Sequence, residues 1–292
     1  VSAPVPDQLP LGRDSVSWRV NAEPIVFAGG GRALLMQVAH PGVGAGVEQH
    51  SSYASDPWGR LFRTVDVMMK LTFGSPEESA RQQRLLEKMH RRVRGTTEFG
   101  EPYSAFDVDL QVWVWATLVD TALLMYERVH RPLGRADRER FYAETKLTAY
   151  GCGVPRGACP DTWADFRAYI DRVVGKDLRV TDAARAVAVA ALVPPLPFGL
   201  AGIAGVPNRL VTVGHLPRSL REQYGFSWSA REARQLAAWT RAARATAAVP
   251  PVVRQAGARL AVSQKRPLRV PWLQRRGAEL TRRRLHEAGF GS

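Results

Sequence analysis

The stretch "DVDLQVWVWATLVDTALLMYERVH", Asp107 to His130, is apolar on nearly every side from Val108 to Met125. A helix without a polar face must be surrounded by other elements, so this segment demands that the rest of the chain wrap around it. Gln111, Thr117 and Asp120 interrupt the run, which falls short of the ~20 clean apolar residues of a membrane span. It therefore reads as a central core helix capped by Asp107, and Asp120 needs a buried partner. At 292 residues, 45% of them hydrophobic, the chain has the material for such a core.

The flanking segments are helical too. "DPWGRLFRTVDVMMKLTF" is amphipathic, with Leu61, Val65, Met68 and Met69 on an apolar stripe and Arg60, Arg63 and Thr64 at i, i+3, i+4. "SPEESARQQRLLEKMHRRVRG" has a Ser75 cap, Pro76 at the first helical position and Gly95 as its expected stop. On that helix Leu86, His90 and Val93 fall on one face. "DRERFYAETKLTAYGCGVP" is expected to end at Gly151, and "PDTWADFRAYIDRVVG" to open at Asp161 or Thr162. Past Pro194, "PPLPFGLAGIAGVPNRL" is expected to be either a long apolar loop over the core or a substrate-channel segment. No internal repeat or clear linker is present, which favours a single globular domain.

A dinucleotide-binding reading fails on spacing. Gly29, Gly30 and Gly31 are followed by Arg32, Ala33 and Leu34, so the third glycine of G-x-G-x-x-G is missing, and no regular strand and helix alternation follows. There is no G-x-S-x-G elbow, and neither cysteine has a histidine nearby in sequence. Cys152 and Cys159 have no zinc-finger or C-x-x-C spacing, which points to a reducing, cytoplasmic compartment. The opening arm, "VSAPVPDQLPLGRDSVSWRV", lacks the pattern of a secretory signal.

The formal charge of +14 is uneven, since residues 251–292 hold ten Lys or Arg against two acids. A solvated basic tail or terminal helix is the plain reading, which sets residues 1–250 apart as the helical domain and 251–292 as a basic extension. The alternatives are an anionic membrane surface, which would give a peripheral location, an acidic partner and nonspecific nucleic acid. No sequence-specific nucleic-acid signature is present.

The six histidines lack H-E-x-x-H spacing and any legible local triad. A lone histidine on an apolar helical face is more often a hydrogen-bonded core residue than a ligand. Here, however, it comes with other groups. A haem pocket needs a neutral imidazole on a rigid helix, an apolar wall and cations for two propionates. His90 with Leu86 and Val93 offers the first two, and Arg60 and Arg63 offer guanidinium forks for the third unless they form an exposed face. Without C-x-x-C-H, such a haem is held noncovalently.

The succession "GGGRALLMQVAHPGVGAGVEQHS", "DPWGRLFRT", "FGSPEES", "MHRRVRG", "YSAFDVDLQVWVWATLVD" and "FYAETKLTAYGCGVP" resembles the mpaB and rubber oxygenase (latex clearing protein) catalytic-domain family, from roughly Pro10 to Trp228. The resemblance implies an all-α fold with a buried haem b. It implies that His90, in H-x-x-V-x-G, is the proximal ligand and metal-binding residue, and that Arg60 and Thr64 lie near the haem. Arg63 stands where rubber oxygenase has a distal lysine, so a lysine-ligated resting form is not expected. His40 and His50 match family positions and are expected to line the pocket or hold its wall.

The reaction implied is that of a haem-dependent oxygenase or oxidase, using dioxygen on a hydrophobic small organic substrate. His50 or Thr64 would manage oxygen or a proton. One departure bears on this: Trp115, in "WVWATL", replaces a histidine found in many members. A haem carrier or sensor without turnover is the competing expectation.

Overall fold

A computed structural model describes residues 8–192, 200–264 and 271–290. Four helices open the chain: α1 (Val16–Asn21), α2 (Pro24–Ala28), α3 (Gly30–Val38) and α4 (Pro41–His50). Pro24 and Pro41 start their helices, where a missing N–H costs nothing. The three glycines sit at the junction of α2 and α3. A Cβ on Gly29 would come within 2.6 Å of Met125 and Thr121, and one on Gly31 would overlap the Thr212 hydroxyl. These glycines therefore serve close helix packing and cradle no phosphate.

Next comes a helical hairpin of α5 (Pro57–Phe73) and α6 (Pro76–His90), whose N-termini are capped by Asp56 and Ser75. Leu61, expected on the apolar stripe, is 46% exposed, while Met69 is buried. The expected run of α6 to Gly95 is corrected. The helix stops at His90, and the chain turns into a hairpin of β1 (Arg94–Thr96) and β2 (Pro102–Ser104), in which Gly95 pairs with Tyr103. The Val93 carbonyl accepts from the Ala105 N–H at 2.8 Å, so the strand partner takes an acceptor that a longer helix would have used internally. Val93 is thus not on a helical face with Leu86 and His90.

The expected core helix is α7 (Val108–Val129), packed against α1, α2, α3 and α4. By length and composition it could cross a membrane, but most of its surface is buried inside the protein, including Trp113, Ala116, Leu123 and Met125. Asp120 finds the partners it required. Arg32 donates to one carboxylate oxygen at 2.7 Å and Arg167 to the other. Arg32 also bonds Thr121 Oγ1 and the His215 carbonyl, so the buried cation is fully used.

Then follow α8 (Arg135–Gly151), α9 (Trp163–Lys176), α10 (Asp182–Leu192), α11 (Leu200–His215), α12 (Arg218–Gln223) and α13 (Ala230–Ala245). Thr162 and Asp165 form a reciprocal cap on α9. Of the two readings expected past Pro194, the long loop is corrected where it is described: residues 200–215 are helical even though Pro207 lies inside. Burial of Leu210, Val211 and Val213 offsets the lost hydrogen bond, and Asn208 donates to the carbonyls of Ala191 and Leu192 at the end of α10. Residues 193–199 of that stretch lie outside the described residues.

The last helices are α14 (Pro251–Arg254), α15 (Ala256–Ser263) and α16 (Pro271–Glu287). The region expected to be an extension is packed: α15 and α16 lie on α5, and Ala258 joins Leu11, Trp18, Met69, Phe73 and Leu147 in a second apolar cluster. Glu23 accepts two hydrogen bonds from Arg254, both 2.9 Å, and one from Gln255, whose side-chain oxygen accepts from Trp18. Burial pushes the Glu23 carboxyl up, but bonds from Arg254 and Gln255, with the charge of Arg254, hold it below its ordinary value.

Candidate functional site

The α5–α6 hairpin sets the site. Arg60 begins the last 14 residues of α5 and His90 ends the 15 residues of α6, so at 1.5 Å per residue both lie about 20 Å from the turn. The antiparallel pair thus carries the arginine and the histidine to the same open end. There, His90 lines a cavity of about 310 Å³, toward the lower end of the roughly 300–1,000 Å³ of ligand pockets. Ala80, Gln83, Arg84 and Glu87, spaced at helical intervals before His90, form one wall, and Phe106, Tyr150 and Cys152 complete it.

His90 is half-buried, and burial lowers its pKa, which keeps the imidazole neutral at physiological pH. Phe106 meets the ring edge-on at 6.3 Å, and neither ring nitrogen has a hydrogen-bond partner among the described residues. A neutral imidazole with free nitrogens facing a cavity is a metal-ligand donor. Burial pushes the Cys152 thiol up to about 12, so it stays protonated and does not compete as a thiolate.

Arg60 is the second unusual group. Burial, then the neighbouring charge of Arg63, lowers its pKa. Its Nε donates to Ser51 Oγ at 2.9 Å, but no carboxylate pairs with it among the described residues. A desolvated cation without a counterion is an anion site in waiting. Arg84, on the cavity wall, likewise has no carboxylate partner. Arg63 is engaged differently, bonding Asp56 at 2.8 Å and Ser52 Oγ at 3.0 Å.

The other expected residues spread out. Thr64 is exposed and donates to the Arg60 carbonyl at 2.9 Å. His50 is exposed and bonds the Arg94 carbonyl at 3.1 Å, tying α4 to β1 at the His90 end. His40 caps the opposite end of α4, about 15 Å away by helical rise. Burial lowers its pKa against the pull of Asp177, Asp109 and Glu101, and its buried Nδ1 has no partner among the described residues. Of the six residues expected at the site, only His90 lines the cavity.

Sequence reasoning missed Arg84, Glu87, Phe106, Tyr150 and Cys152. The first two were readable, since stepping back from His90 by three or four residues along α6 gives Glu87 and then Arg84 or Gln83. The others come from the β2–α7 turn and the end of α8, which no local pattern brings to α6. Trp115 is outside the cavity wall. It lies against Tyr142 and Phe166 and donates to the Thr145 carbonyl at 2.9 Å.

The cavity wall carries donors that suit a haem, one neutral imidazole, the Phe106 and Tyr150 rings and the Arg84 guanidinium, whereas Arg60 stands outside that wall. Among the described residues no cluster of three or more His, Cys, Asp or Glu side chains could hold a bare metal ion. A macrocycle that brings four of its own ligands needs no such cluster.

Comparison with known proteins gives the wider context. Residues 18–245 match the family model described as "ER-bound oxygenase mpaB/B'/Rubber oxygenase, catalytic domain". The chain is 30% identical over 209 residues to an uncharacterized protein of Mycobacterium bovis, and equally to one of Mycobacterium tuberculosis. In both cases the alignment covers 69% of this chain and 81% of the relative. No solved structure matches. With most of its length inside the family model, the chain belongs to the mpaB/rubber oxygenase catalytic-domain family.

Proposed function

We propose that the protein is a haem b-dependent oxygenase or oxidase that uses dioxygen on a hydrophobic small organic substrate. The observation that carries the reading is His90, a neutral imidazole without a hydrogen-bond partner among the described residues, facing a cavity at the end of a helical hairpin that also holds Arg60, which pairs with no carboxylate among them. Membership of an oxygenase family supports the reaction class.

Haem supplies the dioxygen binding and electron transfer that side chains do not. The protein's own part is to hold and shield. His90 offers a nitrogen lone pair from a rigid helix end, and Arg60 and Arg84 offer guanidinium forks to carboxylates. Phe106 and Ala80 give the wall its apolar surface. At the same end, His50 spends one ring nitrogen on a backbone carbonyl and keeps the other for a proton, while the Thr64 hydroxyl donates its hydrogen to the Arg60 carbonyl and keeps its lone pairs to accept. The indole at Trp115 lies outside the wall of the His90 cavity.

The test is dioxygen uptake by protein purified after expression with haem supply, screened against alkenes and other hydrophobic compounds. Substrate-dependent uptake by the haem-loaded parent supports catalysis, with Arg60→Met expected to lower haem retention and uptake together. Haem binding without uptake against any compound class supports the carrier instead.

A further inference from the structure

The geometry points to the described residues 249–264 and 271–276 as a docking surface for an anionic lipid bilayer. Residues 249–276 hold no acidic residue but seven Lys or Arg. Only two of these make a described carboxylate pair: Arg254 with Glu23, and Arg276 with Glu279. The rest leave the segment strongly cationic.

The same segment exposes apolar side chains. Val249 is 39% exposed, Val252 58%, Val253 60%, Leu260 57% and Trp272 56%. Between Val108 and Val249 no other large hydrophobic residue among those described is exposed to this degree. The exposure is built into the fold, because the opposite sides of these helices are buried. Ala258 packs under α15, two positions and about 200° from Leu260, while Ala278, Thr281 and Leu285 of α16 are also buried. The Arg254 and Gln255 bonds to Glu23 anchor the segment, so Val252 and Val253 are held outward.

Charge and apolar exposure together select the partner. A second copy meeting this face would set cations against cations. Nucleic acid would take the arginines, but phosphate contacts have no use for exposed valine and leucine. A bilayer with anionic headgroups takes both: cations at the surface, valine and leucine at the acyl boundary, and tryptophan at the interface. All of this surface lies beyond the family-matched residues, which end at Ala245. It goes beyond the oxygenase reading and needs no haem.

The test is co-sedimentation of the full chain with vesicles of phosphatidylcholine mixed with phosphatidylglycerol, and with phosphatidylcholine alone. The variants are Leu260→Glu with Trp272→Ala, and Val252→Asp with Val253→Asp, each checked for parent-like helicity by circular dichroism. The parent is expected to bind the anionic vesicles about tenfold better than the neutral ones, less so at high salt, and each variant to lose about tenfold. Equal binding to both vesicles, or variants that bind like the parent, would overturn the proposal. So would tighter binding to a DNA duplex that the apolar substitutions leave unchanged, or a concentration-dependent dimer that they abolish. Because retention involves no turnover, failure here leaves the oxygenase reading untouched.

Discussion

Replacing Arg254 with methionine tests whether the C-terminal helices belong to the folded core. The Glu23 carboxylate is 3% exposed and Arg254 11%, and two 2.9 Å hydrogen bonds join them. Removing one partner of a buried pair costs about 3–5 kcal/mol, because the remaining charge stays desolvated. Gln255 at 3.0 Å and His130 at 3.3 Å stay beside Glu23, which places the expected loss near the lower bound, about 3 kcal/mol. For a chain of 292 residues this is a fall of about 5 °C in Tm. The assay is thermal unfolding at pH 7 followed by far-ultraviolet circular dichroism. Glu23→Gln combined with Arg254→Met should cost less than the sum of the single changes by about 2 kcal/mol. An Arg254→Met protein within about 1 kcal/mol of the parent, with additive single effects, would refute the reasoning. Glu23 would then be reached by water, with the segment undocked.

Two further outcomes follow from the same structure. Burial lowers the folded pKa of His40, His90, His130 and His215, while the unfolded value is about 6.5. Below that value the unfolded chain binds protons the folded chain refuses, so stability should be full above about pH 7 and fall as pH drops toward 5. A Tm that rises over that interval would contradict the burial argument. Adjacent glycines give a second contrast: Gly31→Ala would overlap the Thr212 hydroxyl and should destabilise by about 2 kcal/mol, whereas Gly30→Ala meets open space and should be neutral or slightly stabilising. Equal effects by urea denaturation would count against the tight α3–α11 contact.

The helices readable in sequence are those with a strong local signature. α7 announced itself by being apolar all round, α6 by Ser75 and Pro76, and α9 by Thr162, and Asp120 by its need for a partner. Where the sequence misled, a distant contact decided. Val93 leaves α6 because Ala105 takes its carbonyl, and Pro207 sits within a helix because the surrounding side chains are buried. α4 was hidden by its glycines: Gly42 admits Leu110 and Tyr103, and Gly46 admits Tyr103 and Val93, so contacts from β2 and α7 hold a helix that local preference disfavours. The site divides in the same way. His90 was legible from its helical face, whereas Tyr150 and Cys152 arrive by tertiary packing. The difference between His50 at one end of α4 and His40 at the other follows from a helix the sequence did not reveal.

The central claim is that His90 ligates a haem, and an absorption spectrum of the parent beside His90→Ala tests it most directly. Both proteins would be expressed with haem supply and compared at equal concentration and equal helicity. The account predicts a Soret band in the parent that is lost or shifted in the variant. A parent that neither carries nor takes up haem, or a variant whose spectrum is identical to the parent's, would contradict it.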